Sequence, residues 1–135
     1  MILGGALGKR LYLKIADILS DNSNPKVDKN ATINEVIIEI SQKRLGATAV
    51  INNNKLEGVI TDGDLRRMLE KEDSLSNILA KDIMSLNPKI ISVNSLAYDA
   101  LQIMEANNIS QIIVMDNDIY VGIAHIHEIL KEGII

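Results

Sequence analysis

The feature that most constrains this chain is an internal repeat with a spacing of 64 residues. Ile33, Val36, Ile37 and Ile40 follow the i, i+3, i+4, i+7 spacing of an amphipathic helix, and residues 97–104 repeat that spacing 64 positions later. The same offset relates further pairs of positions: Leu45 and Ile109, Val50 and Val114, Gly58 and Gly122, Asp64 and Glu128, and Leu65 and Ile129. The chain is therefore a tandem duplication.

Each copy contains the same series of predicted elements. A helical turn near Asp17 or Asp82 is followed by a proline, Pro25 or Pro88, and then by a short extended segment. An amphipathic helix, two apolar strands and a closing helix complete each copy. Turns rich in Asn and Asp join the strands, because these residues tolerate the left-handed conformations of tight hairpins. The strands are predicted at 47–51, 56–60, 111–115 and 119–124, and the closing helices at 64–71 and 127–132.

These elements predict an α+β fold of two β-α-β-β-α repeats. A unit of this size leaves one face of its sheet uncovered, so the two copies are expected to pack together with pseudo-twofold symmetry. The chain contains neither Phe nor Trp, so its core must be aliphatic.

Composition excludes several classes of function. A formal net charge of -4 argues against nucleic-acid binding, which needs a basic surface. The absence of cysteine excludes disulfides, thiolate nucleophiles and cysteine-based zinc sites. No apolar run approaches the ~20 residues of a membrane-spanning helix, and no signal peptide is recognisable. We therefore expect a soluble, cytoplasmic protein without membrane contacts.

The segment after the second strand of the first copy has two compatible interpretations. Thr61 and Asp64 have the spacing of a capping box, which stabilises the start of a helix. The same helix start presents free N–H groups, so a phosphate could bind beside Thr61 while Asp64 accepts the hydroxyls of a ribose. A catalytic pair of Asp62 and Asp64 is disfavoured, since paired carboxylates need an apolar pocket to separate their pKa values.

The second copy carries different groups at these positions. His125 replaces Thr61, and His127 and Glu128 follow it. Two histidines alternating along an extended segment lie on one face, but no third histidine or cysteine exists to complete a metal site, and no metal is predicted. Imidazoles that donate to a phosphate or carboxylate are favoured over a metal site, and a structural role is an equal alternative. The sequence assigns His125 no capping role.

These motifs resemble known families. The sequence from Ala16 onwards resembles a tandem pair of cystathionine-β-synthase-type (CBS) domains, whose signature G-h-h-T-x-x-D (h, hydrophobic) matches residues 58–64. Three segments, "GGALGKRL" at 4–11, "ITDGDLRR" at 60–67 and "GIAHIHEILKEGII" at 122–135, look like the C-terminal half of D-arabinose-5-phosphate isomerases. The resemblance therefore implies the regulatory CBS pair of a sugar-phosphate isomerase.

In that family a sugar-isomerase (SIS) domain precedes the CBS pair. The enzymes interconvert ribulose 5-phosphate and arabinose 5-phosphate, at the start of the pathway to Kdo, a sugar of lipopolysaccharide. The resemblance implies that 1–15 is a linker from a SIS domain, 16–76 the first CBS repeat and 77–135 the second. We therefore expect a fragment without catalytic residues, in which the "GGALG" segment is flexible or ordered only against the SIS domain.

The resemblance also implies an effector rather than a cofactor. The expected ligand is a nucleotide or a nucleotide-sugar such as CMP-Kdo, and its candidate binding residues are Thr61, Asp62, Asp64, His125, His127 and Glu128. Ala49 and Ile113 depart from the family, which often has proline there when it binds adenine nucleotides. No aromatic residue lies in the signature turns to stack on a base.

Two alternatives stay open: a purely structural dimerisation module with empty clefts, and a stand-alone regulator that binds adenosine phosphates. The expected partners are the chain's own SIS domain and a second CBS pair in a homodimer, with a tetramer for the whole enzyme. Leu65, Met68 and Leu69 in one closing helix, with Ile129 and Leu130 in the other, are the expected contacts between CBS pairs.

Overall fold

The two copies fold into the same β-α-β-β-α unit. The computed structural model describes residues 5–21, 23–71 and 73–134. From the N-terminus the elements are α1 (Gly5–Tyr12), a 3-10 turn (Ile15–Asp17), β1 (Lys26–Asp28), α2 (Ile33–Lys43), β2 (Ala47–Asn52), β3 (Lys55–Thr61) and α3 (Asp62–Lys71). They continue with α4 (Ala80–Ile83), β4 (Ser85–Leu86), β5 (Ile90–Ser92), α5 (Ala97–Asn107), β6 (Gln111–Asp116), β7 (Ile119–His125) and α6 (Ile126–Leu130). The predicted α+β fold of two repeats is confirmed.

The long helix of each copy buries the face that its periodicity predicts. Ile33, Val36 and Ile40 of α2 are buried, as are all four apolar residues of 97–104 that carry the pattern in α5. The Thr32 hydroxyl accepts the backbone N–H of Glu35 and caps α2. Both helices end at residues in the left-handed conformation, Arg44 and Asn108, which stand 64 positions apart.

Each sheet is built around one hairpin and one parallel neighbour. Strand β2 pairs antiparallel with β3 and parallel with β1, and β6 does the same with β7 and β5. Asn53, Asn54 and Asn117 in the hairpin turns all have positive φ, which is the role expected of asparagine there. An irregularity in register falls at the same point in each hairpin, after Val50 and after Val114.

The connecting segments exchange partners between the copies. Leu79, just before α4, forms a β-bridge with Thr32 of the first copy, while Lys14, before the 3-10 turn, bridges Leu96 of the second. Ala80 is accordingly buried in the core of the first copy and Ile15 in that of the second. The predicted boundaries at 16–76 and 77–135 thus describe the repeat along the chain and stay a prediction, whereas each packed unit combines parts of both ranges.

Two glycines allow this exchange. A Cβ built on Gly58 would lie 2.7 Å from the carbonyl oxygen of Ser85, and one on Gly122 would lie 2.7 Å from that of Ser23. No side chain fits at that distance, since atoms in protein interiors are already close-packed. The glycine of the signature is therefore required because another stretch of backbone crosses it.

The two copies meet through their sheets. The shared core cluster combines buried residues of β2, β6 and β7, and several of its members are related by the 64-residue offset. The offset pairs in this cluster are Ala49 with Ile113, Ile51 with Met115, Leu56 with Tyr120 and Val59 with Ile123. Equivalent faces thus pack against each other, as pseudo-twofold symmetry requires.

The expectation of a flexible N-terminal segment is wrong for the residues that the structure describes. Gly5–Tyr12 forms α1, which packs beside α5. The Lys9 ammonium donates to the carbonyl oxygen of Glu132 at 2.6 Å, and the Arg10 guanidinium donates to that of Ile134 at 2.9 Å. These bonds satisfy carbonyls after α6, so the segment is ordered without another domain. Its role as a linker stays a prediction.

The expected contact faces of α3 and α6 are partly wrong. Met68 and Ile129 are buried in the protein's own core and cannot meet a partner. Leu69, at 55% exposure, and Leu130 remain on the surface. Periodicity identified apolar faces, but the exchanged segments cover part of them. Within the described ranges, no helix combines the length and apolar character that crossing a membrane requires.

Candidate functional site

The turn between β3 and α3 is a capping box. The Thr61 backbone N–H donates to Asp64 Oδ2 at 2.9 Å, and the Asp64 backbone N–H donates to Thr61 Oγ1 at 3.2 Å. The Thr61 hydroxyl also donates to Asp64 Oδ2, at 3.2 Å. Backbone N–H groups at the start of α3 are therefore satisfied reciprocally, and the capping interpretation is confirmed.

The other carboxylate oxygen of Asp64 binds two further side chains. Arg67 Nη2 donates to Asp64 Oδ1 at 2.6 Å, in the one ion pair found across the described ranges. The hydroxyl of Ser85, on β4, donates to the same oxygen at 3.5 Å. The Asp64 side chain is 10% exposed, whereas that of Arg67 is 63% exposed. The carboxylate is thus held in place, while its cationic partner lies largely in solvent.

A cleft of about 260 Å³ lies beside this turn, between the two copies. Its apolar lining comes from Val59, Leu86, Pro88, Ile109, Ile112, Ile113 and Ile123. Its polar lining comes from Thr61, Asp64, Arg67, Ser85, Asn87, Lys89 and Gln111. An apolar wall with a few convergent polar groups is the usual composition of a site for a small ligand.

The corresponding turn of the second copy is capped by an imidazole. The His125 backbone N–H donates to Glu128 Oε1 at 2.9 Å, which repeats the bond between Thr61 and Asp64. His125 Nδ1 accepts the backbone N–H of His127 at 3.1 Å. The expectation that His125 has no capping role is wrong, because this ring nitrogen accepts a helix N–H as the Thr61 hydroxyl does.

The two histidines do not share an extended strand, contrary to expectation. Strand β7 ends at His125, and His127 already lies in the first turn of α6. The rings nevertheless stack, with centroids 4.9 Å apart and planes inclined by 20°. Across 5–21, 23–71 and 73–134, no three histidine, aspartate or glutamate side chains come together closely enough to hold a metal ion.

The surroundings of His125 favour its neutral form. Burial lowers the pKa of its imidazole below the usual 6.5, and repulsion from His127 adds to this, while Glu128 acts in the opposite direction. Because Nδ1 accepts a hydrogen bond, the neutral ring carries its proton on Nε2. That N–H is the group available to donate to an anion.

We predict that His125 makes the protein less stable in mild acid. The pKa of its imidazole is lower in the folded state than in the unfolded chain. Below pH 6.5 the unfolded chain therefore binds a proton more readily than the folded protein does, and the free energy of unfolding falls as the pH drops. His125→Ala should lower stability by about 1 kcal/mol at pH 7.5 through the lost cap, and should flatten the decline towards pH 5.5. Thermal melts at both values measure this.

His127→Ala is the matched control for the cap, because the bond uses the His127 backbone and survives the substitution. Its stability at pH 7.5 should stay within about 0.5 kcal/mol of the parent. An equally steep acid decline in the parent and in His125→Ala would contradict the assignment.

The structure divides the predicted site residues into two turns, one in each copy. Thr61 and Asp64 line the cleft, whereas Asp62 is exposed and is not among its lining residues. The second turn holds His125, His127 and Glu128 at the start of α6. The ligand-binding role of all six stays a prediction.

Sequence reasoning missed five polar residues of the cleft: Ser85 and Asn87, which lie in the connecting segment, and Arg67, Lys89 and Gln111. Arg67 stands one helical turn after Asp64, a spacing that indicates an ion pair. Lys89 follows the proline of the connecting segment, and Gln111 begins β6. No local pattern marks the last two, because they reach the cleft only through packing of the second copy on the first.

Comparisons with known families identify the repeat. The family model described as CBS domain matches residues 15–71 and 80–134. The arabinose 5-phosphate isomerase KdsD of Yersinia pestis is 36% identical over 134 residues, which cover 98% of this chain and 41% of that protein. The enzyme of the same name from Francisella tularensis is 42% identical over 129 residues, which cover 94% of this chain and 39% of that protein. The chain spans about two fifths of the length of these relatives.

Solved structures share the fold at lower identity. A CBS domain protein from Pyrobaculum aerophilum complexed with AMP has a TM-score of 0.77 and 22% identity, covering 86% of this chain and 89% of that one. The CBS domain of a bacterial CNNM/CorC family Mg2+ transporter in complex with ATP has a TM-score of 0.75 and 16% identity, covering 93% and 89%. The chain belongs to the CBS-domain family and carries two such domains in tandem.

Proposed function

We propose that the chain is the regulatory, ligand-sensing CBS pair of a D-arabinose-5-phosphate isomerase. The similarity to two isomerases of that name over nearly the whole chain supports this proposal. A SIS domain in the same protein, its interconversion of pentose phosphates, its role in Kdo synthesis and its cytoplasmic location are parts of the proposal. The catalytic residues would all belong to the SIS domain.

The observation that carries the proposal is the cleft between the copies. Its apolar wall, with Ile112 and Ile113, suits the faces of a nucleobase, and the carboxylate of Asp64 suits ribose hydroxyls. Arg67 and Lys89 supply positive charge for a phosphate. AMP and ATP complexes of structurally similar CBS domains support a nucleotide-type ligand. These groups support a nucleotide or a nucleotide-sugar such as CMP-Kdo as the proposed ligand.

The second turn should prefer a different ligand. It offers the Nε2–H of a neutral imidazole and the carboxylate of Glu128 where the first offers a hydroxyl and Asp64. Its ligand class is an anion that accepts a hydrogen bond from imidazole. Unequal sites would let one module respond to more than one signal.

We also propose that two modules associate as a homodimer, or as part of a tetramer in the whole enzyme. Leu69 and Leu130 supply exposed apolar surface on α3 and α6 for such a contact. Self-association of identical patches would give C2 symmetry.

Thermal-shift measurements with CMP-Kdo, CMP, AMP, ATP and buffer test the ligand proposal. A ligand at one hundred times its Kd should stabilise the folded state by about 2.7 kcal/mol, because it binds that state alone. We expect a cytidine nucleotide to give the largest shift. Larger shifts with AMP or ATP would favour a stand-alone adenosine-phosphate regulator. No shift with any of them would favour a structural dimerisation module with empty clefts.

A further inference from the structure

Among the residues that the structure describes, Asp64 is the one charged partner that holds Arg67 at the cleft. Arg67 Nη2 lies 2.6 Å from Asp64 Oδ1, and the arginine side chain is otherwise largely exposed. Its Nη1 lies 3.3 Å from the point where Gly63 would carry a Cβ, so the guanidinium lies close over the turn. Because the guanidinium end is 63% exposed, Arg67 can turn towards another anion, but its departure leaves the nearly buried carboxylate of Asp64 without its cation unless another donor takes its place.

Open space lies on both sides of this ion pair. The cleft of about 260 Å³ is lined by Asp64 and Arg67, and so is a neighbouring groove of about 420 Å³ between α3 and α4. The groove also carries Met68, Lys71 and Asp82. Because both cavities include the Arg67 side chain, its guanidinium has room to move from one towards the other.

The carboxylate of Asp64 has no uncommitted oxygen. Oδ2 accepts the backbone N–H and the hydroxyl of Thr61, while Oδ1 accepts from Arg67 and Ser85. The contact from Ser85 is long, at 3.5 Å, so the short bond from Arg67 is the one that occupies Oδ1, and a sugar hydroxyl that is to bind this oxygen must compete with the guanidinium. The ligand must also offer the displaced guanidinium a new acceptor, since an arginine separated from its anion loses a charge-assisted hydrogen bond.

We propose that Arg67 determines the specificity of the cleft beside the Thr61–Asp64 turn, here called the first cleft. Its guanidinium would exchange Asp64 for the anionic group of the ligand. A phosphate draws the guanidinium away and frees Asp64 Oδ1 for a ribose hydroxyl. An uncharged nucleoside has no anionic group that could bind the guanidinium. Its hydroxyls must therefore compete with Arg67 for Asp64 Oδ1. The ligand class is thus a nucleoside carrying at least one phosphate, and this inference rests on the proposed nucleotide function.

The second copy lacks this device. Lys131 stands 64 positions after Arg67, yet no ion pair joins it to Glu128 in the part of the chain that the structure describes. Lysine also cannot reproduce the bidentate geometry of a guanidinium on a phosphate. Selection through exchange of an ion pair is therefore confined to the first cleft.

Calorimetric titration of the whole chain with CMP, cytidine, AMP and adenosine tests this inference. The parent should bind each nucleotide tenfold or more better than its nucleoside. Arg67→Ala should weaken nucleotide binding by roughly 10- to 100-fold, and it should strengthen nucleoside binding several-fold because Asp64 is freed. Arg66→Ala is the matched control, since it removes an exposed arginine next in sequence that lines neither cavity.

The opposite signs expected for nucleotide and nucleoside separate this inference from a general loss of charge. If Arg67→Ala weakens both ligands equally, or neither, the exchange is overturned while the nucleotide function stands. The exchange is also overturned, and the nucleotide function again stands, if Arg66→Ala changes the affinities as Arg67→Ala does. If the parent binds none of the four ligands and also shows no thermal shift with CMP-Kdo or ATP, the proposed function itself is overturned. Unchanged thermal unfolding of Arg67→Ala in buffer verifies that the variant is folded.

Discussion

Replacing Gly58 with alanine should destabilise the protein by about 3 kcal/mol, the upper part of the usual range for overpacking. The new Cβ would lie 2.7 Å from the carbonyl oxygen of Ser85 and 2.9 Å from the sulfur of Met84. The carbonyl belongs to the backbone of β4, which pairs with β3 at this point. Relief of the clash must therefore move the strand that connects the two copies.

Thermal or urea unfolding measures this effect, and a melting temperature lower by roughly 10 °C is expected for a chain of this length. Gly63→Ala is the matched control, because its Cβ would approach the flexible end of the Arg67 side chain at 3.3 Å and would otherwise make an ordinary contact with Thr61 Oγ1 at 3.6 Å. That variant also replaces a glycine within a helix, which favours alanine. Equal melting temperatures for the parent and Gly58→Ala would contradict this prediction, because they would show that the backbone of β4 tolerates a side chain at position 58.

Removing the carboxylate of Asp64 should have two separable effects. Asp64→Ala deletes the acceptor of the Thr61 backbone N–H, so the ligand-free protein should lose about 1 kcal/mol of stability. If Asp64 also accepts ligand hydroxyls, nucleotide binding should weaken by ~1.5–3 kcal/mol, or roughly 10- to 100-fold. Unfolding of the free protein and calorimetry with CMP or AMP measure the two effects separately.

Glu70→Ala provides the control for charge. Glu70 lies on the same helix, α3, but is exposed and outside the lining of the cleft. It should leave nucleotide affinity within a factor of about two, since surface substitutions of this kind cost at most about 0.5 kcal/mol. If Asp64→Ala also leaves the nucleotide affinity unchanged, the turn acts only as a helix cap, and the first cleft is not the nucleotide site.

Local patterns predicted the parts of the fold whose partners lie nearby in sequence. The repeat located both β-α-β-β-α units, because equivalent residues make equivalent helices and hairpins. Asn53 and Asn54 indicated a tight turn, and the spacing of Thr61 and Asp64 indicated a capping box. These features depend on backbone conformation and on side-chain reach over three or four residues, which the sequence shows directly.

What the sequence by itself determined is therefore the repeated unit and the Thr61–Asp64 cap of its first copy. Tertiary structure alone decided that residues near Ala80 pack on the first copy and those near Ile15 on the second. It also decided that Met68 is buried and Leu69 exposed. Arg67, Asp64 and Lys89 share a cleft because of the same packing. Such choices depend on contacts between segments distant along the chain, and the periodicity of one segment does not specify which other segment covers it.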